Sequence, residues 1–493
     1  MGAFDDFKAR SIAVKHHWSR VDPATVLGRS DGPAVVVDRV ELTPRLGQAL
    51  AGYGPTFSRW TRGWMHPLYA TLVLTDDGGG NRWLAIGFDL HAGTRWLVER
   101  VALGTAALGV GVESIFVTAT HNHASPGGMY GVDFYDKLVA NFESGGFDDS
   151  WPQEIVDRIV DRVGAMAARI AAGSGRNPRL VYGEALVWGP IWQRALCAHL
   201  ANFGSVATMT AADIDDVVPK ASEKLNGEKA PATNDPRFAA VDARVRTLTW
   251  ESDGEPVAVF AFVAATPTMF HSGASISGGD GLGYAARYAE LQLGAEGKKV
   301  YVSANGGPHG DTFLVAGTDV GAFIREREDA IAKWEKLAPF ARKVVEVGAR
   351  IGEGMVRAVA AGRAAPEDTE VRGAARLSPC PKPCFSERLM AGEPVSAFTG
   401  APKNAAPVSG GGKAEPDPRV GVVGEVGNAM LAGDPFEAGV GARTWPNKSD
   451  THPPPADLDR GVRGDYTGSD PQSPKTVALG NTILGVATAP EHR

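Results

Sequence analysis

Apolar residues gather along this chain in short runs closed by glycine, proline, asparagine or aspartate. The spacing predicts strands at Ala34–Glu41, Pro67–Thr75, Arg82–Phe88, Ser114–Thr120, Arg179–Val187, Val245–Trp250, Val257–Ala265 and Lys299–Ser303. Helical periodicity falls between several of them. The clearest helix follows Asp149-Ser150-Trp151-Pro152, where Asp149 or Ser150 can cap and Pro152 fits the first turn. Ile155, Ile159, Val163, Met166 and Ile170 then make one apolar stripe that stops near Gly173. Further helices are expected at Leu282–Leu293 and Ala322–Ala361, the latter interrupted at Pro339. Strands alternating with helices predict an α/β fold in which mixed β-sheet layers are flanked by helices.

The pattern weakens after Ala361. Residues 364–474 are dense in proline and glycine, including Ser409-Gly410-Gly411-Gly412 and Pro453-Pro454-Pro455, and carry little periodicity. Aromatic residues such as Phe385, Phe398, Trp445 and Tyr466 favour loops packed on the body over a free linker. A last strand-like run, Thr476–Thr488, returns at the end. The expected organisation is an extension at 1–24, an α/β domain at 25–363, loops at 364–474 and a C-terminal strand within 475–493 that rejoins the main domain. No internal repeat is evident.

Composition narrows the function classes. With 493 residues, 43% of them hydrophobic, the chain has ample material for a large core. A formal net charge of -7 with scattered Arg and Lys argues against a nucleic-acid binder. The longest apolar stretch, Val257–Ala265, is far short of the about 20 residues of a membrane-spanning helix, so membrane contact would be peripheral. Met1-Gly2-Ala3-Phe4-Asp5-Asp6 lacks the start of a signal peptide, which makes a cytoplasmic location the default expectation. Three cysteines, Cys197, Cys380 and Cys384, are too few for a disulfide framework, and the lone Cys380/Cys384 pair does not make a zinc ribbon. Gly279-Asp280-Gly281-Leu282-Gly283 lacks the setting of a nucleotide loop, and neither a Walker sequence nor a Gly-x-Ser-x-Gly elbow occurs.

Candidate chemistry concentrates at Val117–Gly128, V-T-A-T-H-N-H-A-S-P-G-G. Residues i and i+2 of a strand share a face, so His121 and His123 are expected to look into one cavity while Pro126, Gly127 and Gly128 turn the chain away. The pair is either a ligand with an acid or base beside it, or two loop histidines that hydrogen-bond the turn.

This segment resembles the His-x-His-Ser-Gly-Pro-Gly-Gly signature of the neutral/alkaline ceramidase family, with Ala124 and Ser125 in place of Ser-Gly. Gly63-Trp64-Met65-His66-Pro67-Leu68-Tyr69-Ala70, Ala85-Ile86-Gly87-Phe88-Asp89-Leu90, Trp192-Gln193-Arg194-Ala195-Leu196-Cys197-Ala198 and Ile276–Ala285 resemble further segments of that family in the same order. The match covers most of residues 25 to 315. It implies a zinc-dependent hydrolase of an amide in a ceramide-like or other amphipathic lipid substrate. The alternative is a degenerate member that binds a ligand without cleaving it. Family members are often secreted.

Carried over residue by residue, the resemblance makes His121 a zinc ligand and His123 a general acid or base. The family's second ligand histidine has no counterpart in Phe262–Thr268; His271 lies a few residues on, and either supplies the missing nitrogen or is a loop residue of a lost site. The family's serine loop corresponds to Asn305–Thr312 without the serine. There Thr312 is a substitute hydroxyl, and His309 and Asp311 suit metal ligation or proton transfer, or else the segment is a plain turn. Arg194 is matched to a substrate-holding arginine, the alternative being a surface ion pair. Ile483–Glu491 is similar to a family strand whose glutamate binds zinc, which makes Glu491 a candidate ligand. The sequence ends at Arg493, before the positions of the family's tyrosine ligand and its immunoglobulin-like domain.

Overall fold

Alternation within the strand runs decides which layer each side chain meets. The computed structural model describes residues 26, 28, 30–52, 59–130, 150–192, 241–270, 274–294, 299–306, 311–312 and 339–364. In chain order the elements are β1 (Ala34–Glu41), β2 (Gly63–Trp64), β3 (Tyr69–Asp76), β4 (Arg82–Phe88), α1 (Arg95–Thr105), β5 (Ile115–Ala119), α2 (Ser150–Ala171), β6 (Arg179–Leu186), β7 (Ile191–Trp192), β8 (Arg244–Ser252) and β9 (Glu255–Val263). They continue with β10 (Ile276–Ser277), α3 (Asp280–Leu293), β11 (Tyr301–Asn305), β12 (Asp311–Thr312), α4 (Pro339–Ala360) and β13 (Arg363–Ala364). The α/β class with mixed sheets is as expected. The N-terminal extension, the Pro/Gly-rich region beyond Ala364, the run Thr476–Thr488 and all three cysteines lie outside the described residues.

Two sheets form the centre. One has the order β1-β3-β4-β5, antiparallel except for the parallel pair β4/β5. The other has the order β11-β9-β8-β6-β13, antiparallel except for the parallel pair β11/β9. Val36 and Val40 of β1, Leu72 and Leu74 of β3, and Leu84, Ile86 and Phe88 of β4 pack in one core with α1 and α2. Their neighbours Val35, Val73 and Ala85 face the other way, onto Ala258 and Phe260 of β9. Val259, Ala261 and Val263 of β9 point away again, to a third core with α3 and α4. The layers therefore run helix, sheet, sheet, helix, and the strand runs read as continuously apolar because both faces are buried.

Helix α2 uses the stripe legible in the sequence, with Ile155, Ile159, Val163, Met166 and Ile170 all buried. Gly173 ends it at φ +85°, its N–H donating to Ile170 O. Pro339 is the first residue of α4, where a first-turn proline sacrifices no helical hydrogen bond, and the part of the expected helix before it, 322–338, lies outside the described residues. Helix α1 was not expected; Thr94 caps it by accepting from Leu97 N at 3.3 Å. Among the described residues no helix is long and apolar enough to cross a membrane.

Close approach of helix to sheet requires glycine at Gly183, where a Cβ would lie 1.8 Å from Ala358 O of α4 and 2.9 Å from Thr247 Oγ1. Gly164 on α2 has nothing within 4 Å. Gly183→Ala is expected to lower stability by at least about 1 to 3 kcal/mol through overpacking. Gly164→Ala should raise it by about 0.5 to 1 kcal/mol through helix propensity. Denaturant titration of both variants checks the pair, and equal effects would contradict the packing described.

Candidate metal centre

Strands β4 and β5 run parallel with Phe88 beside Ala119, so their C-terminal ends leave the sheet together. Three residues past Phe88 stands His91, and two past Ala119 stands His121. The two exits are stitched: Thr120 N donates to Phe88 O at 2.9 Å, and Thr120 Oγ1 donates to Leu90 O at 3.2 Å. The shared strand face expected for His121 and His123 is not how the two meet. The strand ends at Ala119, and His121 takes a left-handed backbone, φ +57°, uncommon for a residue with a side chain. A turn follows, in which Ala124 N donates to Asn122 Oδ1 at 3.0 Å and Asn122 Nδ2 donates to Thr120 Oγ1 at 2.9 Å.

The turn brings three imidazoles together. Ring centroids lie 4.5 Å apart for His91/His121, 5.1 Å for His91/His123 and 5.4 Å for His121/His123. One nitrogen from each lies within 4.8 Å of the others, and all three side chains are buried. This buried triad could hold a metal ion. His121 Nδ1 is 3.0 Å from His91 O. A carbonyl only accepts, so Nδ1 carries the proton and Nε2 is left as the donor atom toward a metal. Burial, and then the neighbouring charges of His121 and Arg59, hold the His91 pKa well below the usual histidine range. A neutral imidazole is the ligating form.

The backbone around the triad is cross-tied. His91 N donates to Ser125 Oγ at 2.8 Å, Ala51 N to Ser125 O at 2.8 Å, and Gly127 N to Ala49 O at 2.9 Å. Arg59, itself fully buried, donates to His123 O at 2.6 Å, Ala51 O at 3.0 Å and Ala274 O at 3.1 Å, joining three segments. Gly52, at φ +103°, lies against His123, where a Cβ would be 2.5 Å from His123 Cγ.

The parallel strands of the second sheet end at the same edge. Gly306 N, just past β11, donates to Ala119 O at 3.0 Å, and Thr312 N donates to the loop after β9 at Thr266 O, 2.9 Å. Strand β12, Asp311–Thr312, pairs antiparallel with β7. Thr312 is buried, and its Oγ1 accepts from Thr268 N at 3.2 Å. Of the other residues singled out in the sequence, Arg194, His271, His309 and Glu491 lie outside the described residues, as does the side chain of Asp311. Asp280, at the start of α3, is fully buried with φ +54°; burial pushes its pKa up to about 6 against the hydrogen bonds from Phe270 N and Gly281 N. The sequence motifs do not include His91, Tyr130, Arg59 or Gly52. A signal for His91 did exist: it lies one residue beyond the Ala85–Leu90 segment.

No protein-family model matches the chain, and no curated protein sequence does. Among solved structures it is similar to neutral ceramidase from Pseudomonas aeruginosa, with 16% identity and a TM-score of 0.48 over 67% of this chain and 45% of that one. It is likewise similar to a ceramidase complexed with C2, with 15% identity and a TM-score of 0.48 over 67% of this chain and 44% of that one. The chain thus spans less than half the length of the solved structures it resembles.

Proposed function

We propose that this chain is a metal-dependent hydrolase of the neutral ceramidase type, cleaving an N-acyl amide bond of a ceramide-like or other amphipathic substrate at a zinc centre of His91, His121 and His123. The observation that carries this reading is the convergence of three buried imidazoles at the ends of parallel strands. Three protein ligands that leave a fourth position open make the donor set of a catalytic zinc site. Nitrogens bound to tetrahedral zinc lie about 3.4 Å apart, so a triad within 4.8 Å fits after a small closure of the rings. Bound there, the metal would supply a Lewis acid for the amide carbonyl and a water of lowered pKa. The amide specificity rests on the collinear segments that resemble the ceramidase family.

His123 is a ligand in this reading, where the resemblance by itself makes it a proton-transfer group. A second reading, ligand binding without turnover, is favoured by Thr312. The hydroxyl that stands nearest the missing serine is buried and accepts the N–H of Thr268.

Purified protein is expected to hold one zinc per chain and to release fatty acid from a fluorescent ceramide in a chelator-sensitive manner. His91→Ala, His121→Ala and His123→Ala should each weaken zinc binding by more than about 100-fold, beyond the loss that removing an outer partner produces. Retention of zinc by His123→Ala with turnover down by about 10² to 10⁴ would return His123 to the acid/base role. Zinc binding without any release from ceramide supports the second reading, and a wild-type chain that takes up no zinc refutes both the site and the hydrolase.

Gly52 offers an independent check. Gly52→Ala would drive a methyl group into His123, so zinc affinity should fall by at least about 10-fold. Gly47→Ala, at φ +84° with nothing within 4 Å, should cost only the about 1 to 2 kcal/mol of backbone strain and leave zinc affinity unchanged. Equal zinc affinity in the two variants would contradict the placement of His123.

A further inference from the structure

His91 stands past the end of β4, in the irregular segment before α1, so strand geometry does not set the direction of its ring. What touches the ring does. Its Nδ1 is hydrogen-bonded to Tyr130 Oη, and the two rings meet edge to face with centroids 6.1 Å apart and planes at 68°. Tyr130 is itself held from behind. The preceding residue, Met129, is fully buried in the core shared with α1 and α2, and Met129 O accepts from Thr94 Oγ1, the α1 cap, at 3.0 Å. The cap that starts α1 thus fixes the backbone from which the phenol reaches His91.

We propose that Tyr130 is a positioning residue of the metal centre, its hydroxyl oxygen accepting the Nδ1 proton of His91 and so presenting His91 Nε2 to the metal. This rests on the metal site proposed above. A neutral imidazole carries one N–H, and the nitrogen that binds a metal is the other one. His121 shows the same arrangement, with Nδ1–H donating to His91 O, which leaves Nε2 as its ligand atom. The two ligands differ in what accepts that proton: a backbone carbonyl for His121, a phenol for His91. A carbonyl cannot be removed by substitution, but the phenol oxygen can. Outer partners of this kind set the tautomer and raise the basicity of the ligating nitrogen.

The test compares zinc affinity, by competition with a chromophoric chelator, in wild type, Tyr130→Phe, His91→Ala and the double variant. Phenylalanine keeps the ring and removes only the acceptor. Tyr130→Phe is expected to weaken zinc binding by about 10- to 100-fold, to lower the thermal unfolding midpoint of the metal-free protein only modestly, as one unmet buried N–H does, and to alter the visible spectrum of the cobalt-substituted protein. In the His91→Ala background the same change should have no further effect on zinc affinity, because the proposed route from Tyr130 to the metal runs through His91. Nitrogen NMR of the zinc-loaded wild type supplies a readout that needs no variant: His91 Nδ1 should be the protonated nitrogen and Nε2 the metal-bound one. Wild-type zinc binding that Tyr130→Phe leaves intact, an additive loss in the double variant, or the opposite His91 tautomer overturns the role of Tyr130 while sparing the metal site. Absence of zinc binding in the wild type overturns both.

Discussion

The candidate site depends on one pairing, the parallel register of β4 with β5 that sets Phe88 beside Ala119. Parallel neighbours end at the same edge of a sheet, so two histidines thirty positions apart in sequence leave it side by side. Had the strands been antiparallel, His91 and His121 would stand at opposite ends, about 15 Å or more apart at the usual rise per residue. The pairing needs a crossover, which α1 supplies between Arg95 and Thr105, and its Thr94 cap reaches back to Met129 in the His-x-His loop. The second sheet repeats the arrangement with β9 and β11, which end beside the first pair and close the same edge.

Burying His91 in this pocket selects its charge state. A proton added to its ring would sit beside His121 and the Arg59 guanidinium, in a setting where the charged form has lost its water. A neutral ring results, and a neutral ring ligates. The backbone pays for the crowding with a left-handed φ at His121 and a glycine at 52 that no side chain can replace without meeting His123. Arg59 offsets this by tying the loop through three carbonyls, so that the turn is held from outside while its rings face inward.

The strands were legible because a four-layer sandwich buries both faces of its central strands, so runs such as Val257–Ala265 stand out whatever their partners. β1 and β4 were read to the residue. The α2 stripe was equally plain, since 3.6-residue periodicity is local. What the sequence concealed was pairing. Nothing local says that the Arg82–Phe88 run lies beside the Ser114–Thr120 run and not elsewhere, so His91 had no visible link to His121. The proximity of His121 and His123 was anticipated, but for the wrong geometric reason: a turn at His121 brings them together, not strand alternation. Helix α1 was missed because Gly104 weakens it and its first turn carries no acidic residue, although Thr94 stood in the cap position. Pro339 opens α4, a place proline tolerates as readily as a break between helices, so its residue type alone does not tell the two apart.

The most direct test of the three-histidine centre is anomalous diffraction at the zinc absorption edge from a crystal of the full chain grown with zinc. A single peak about 2.0 to 2.1 Å from one nitrogen each of His91, His121 and His123 is the predicted result. A peak that leaves out His91, or that lies away from the C-terminal ends of β4 and β5, would contradict it.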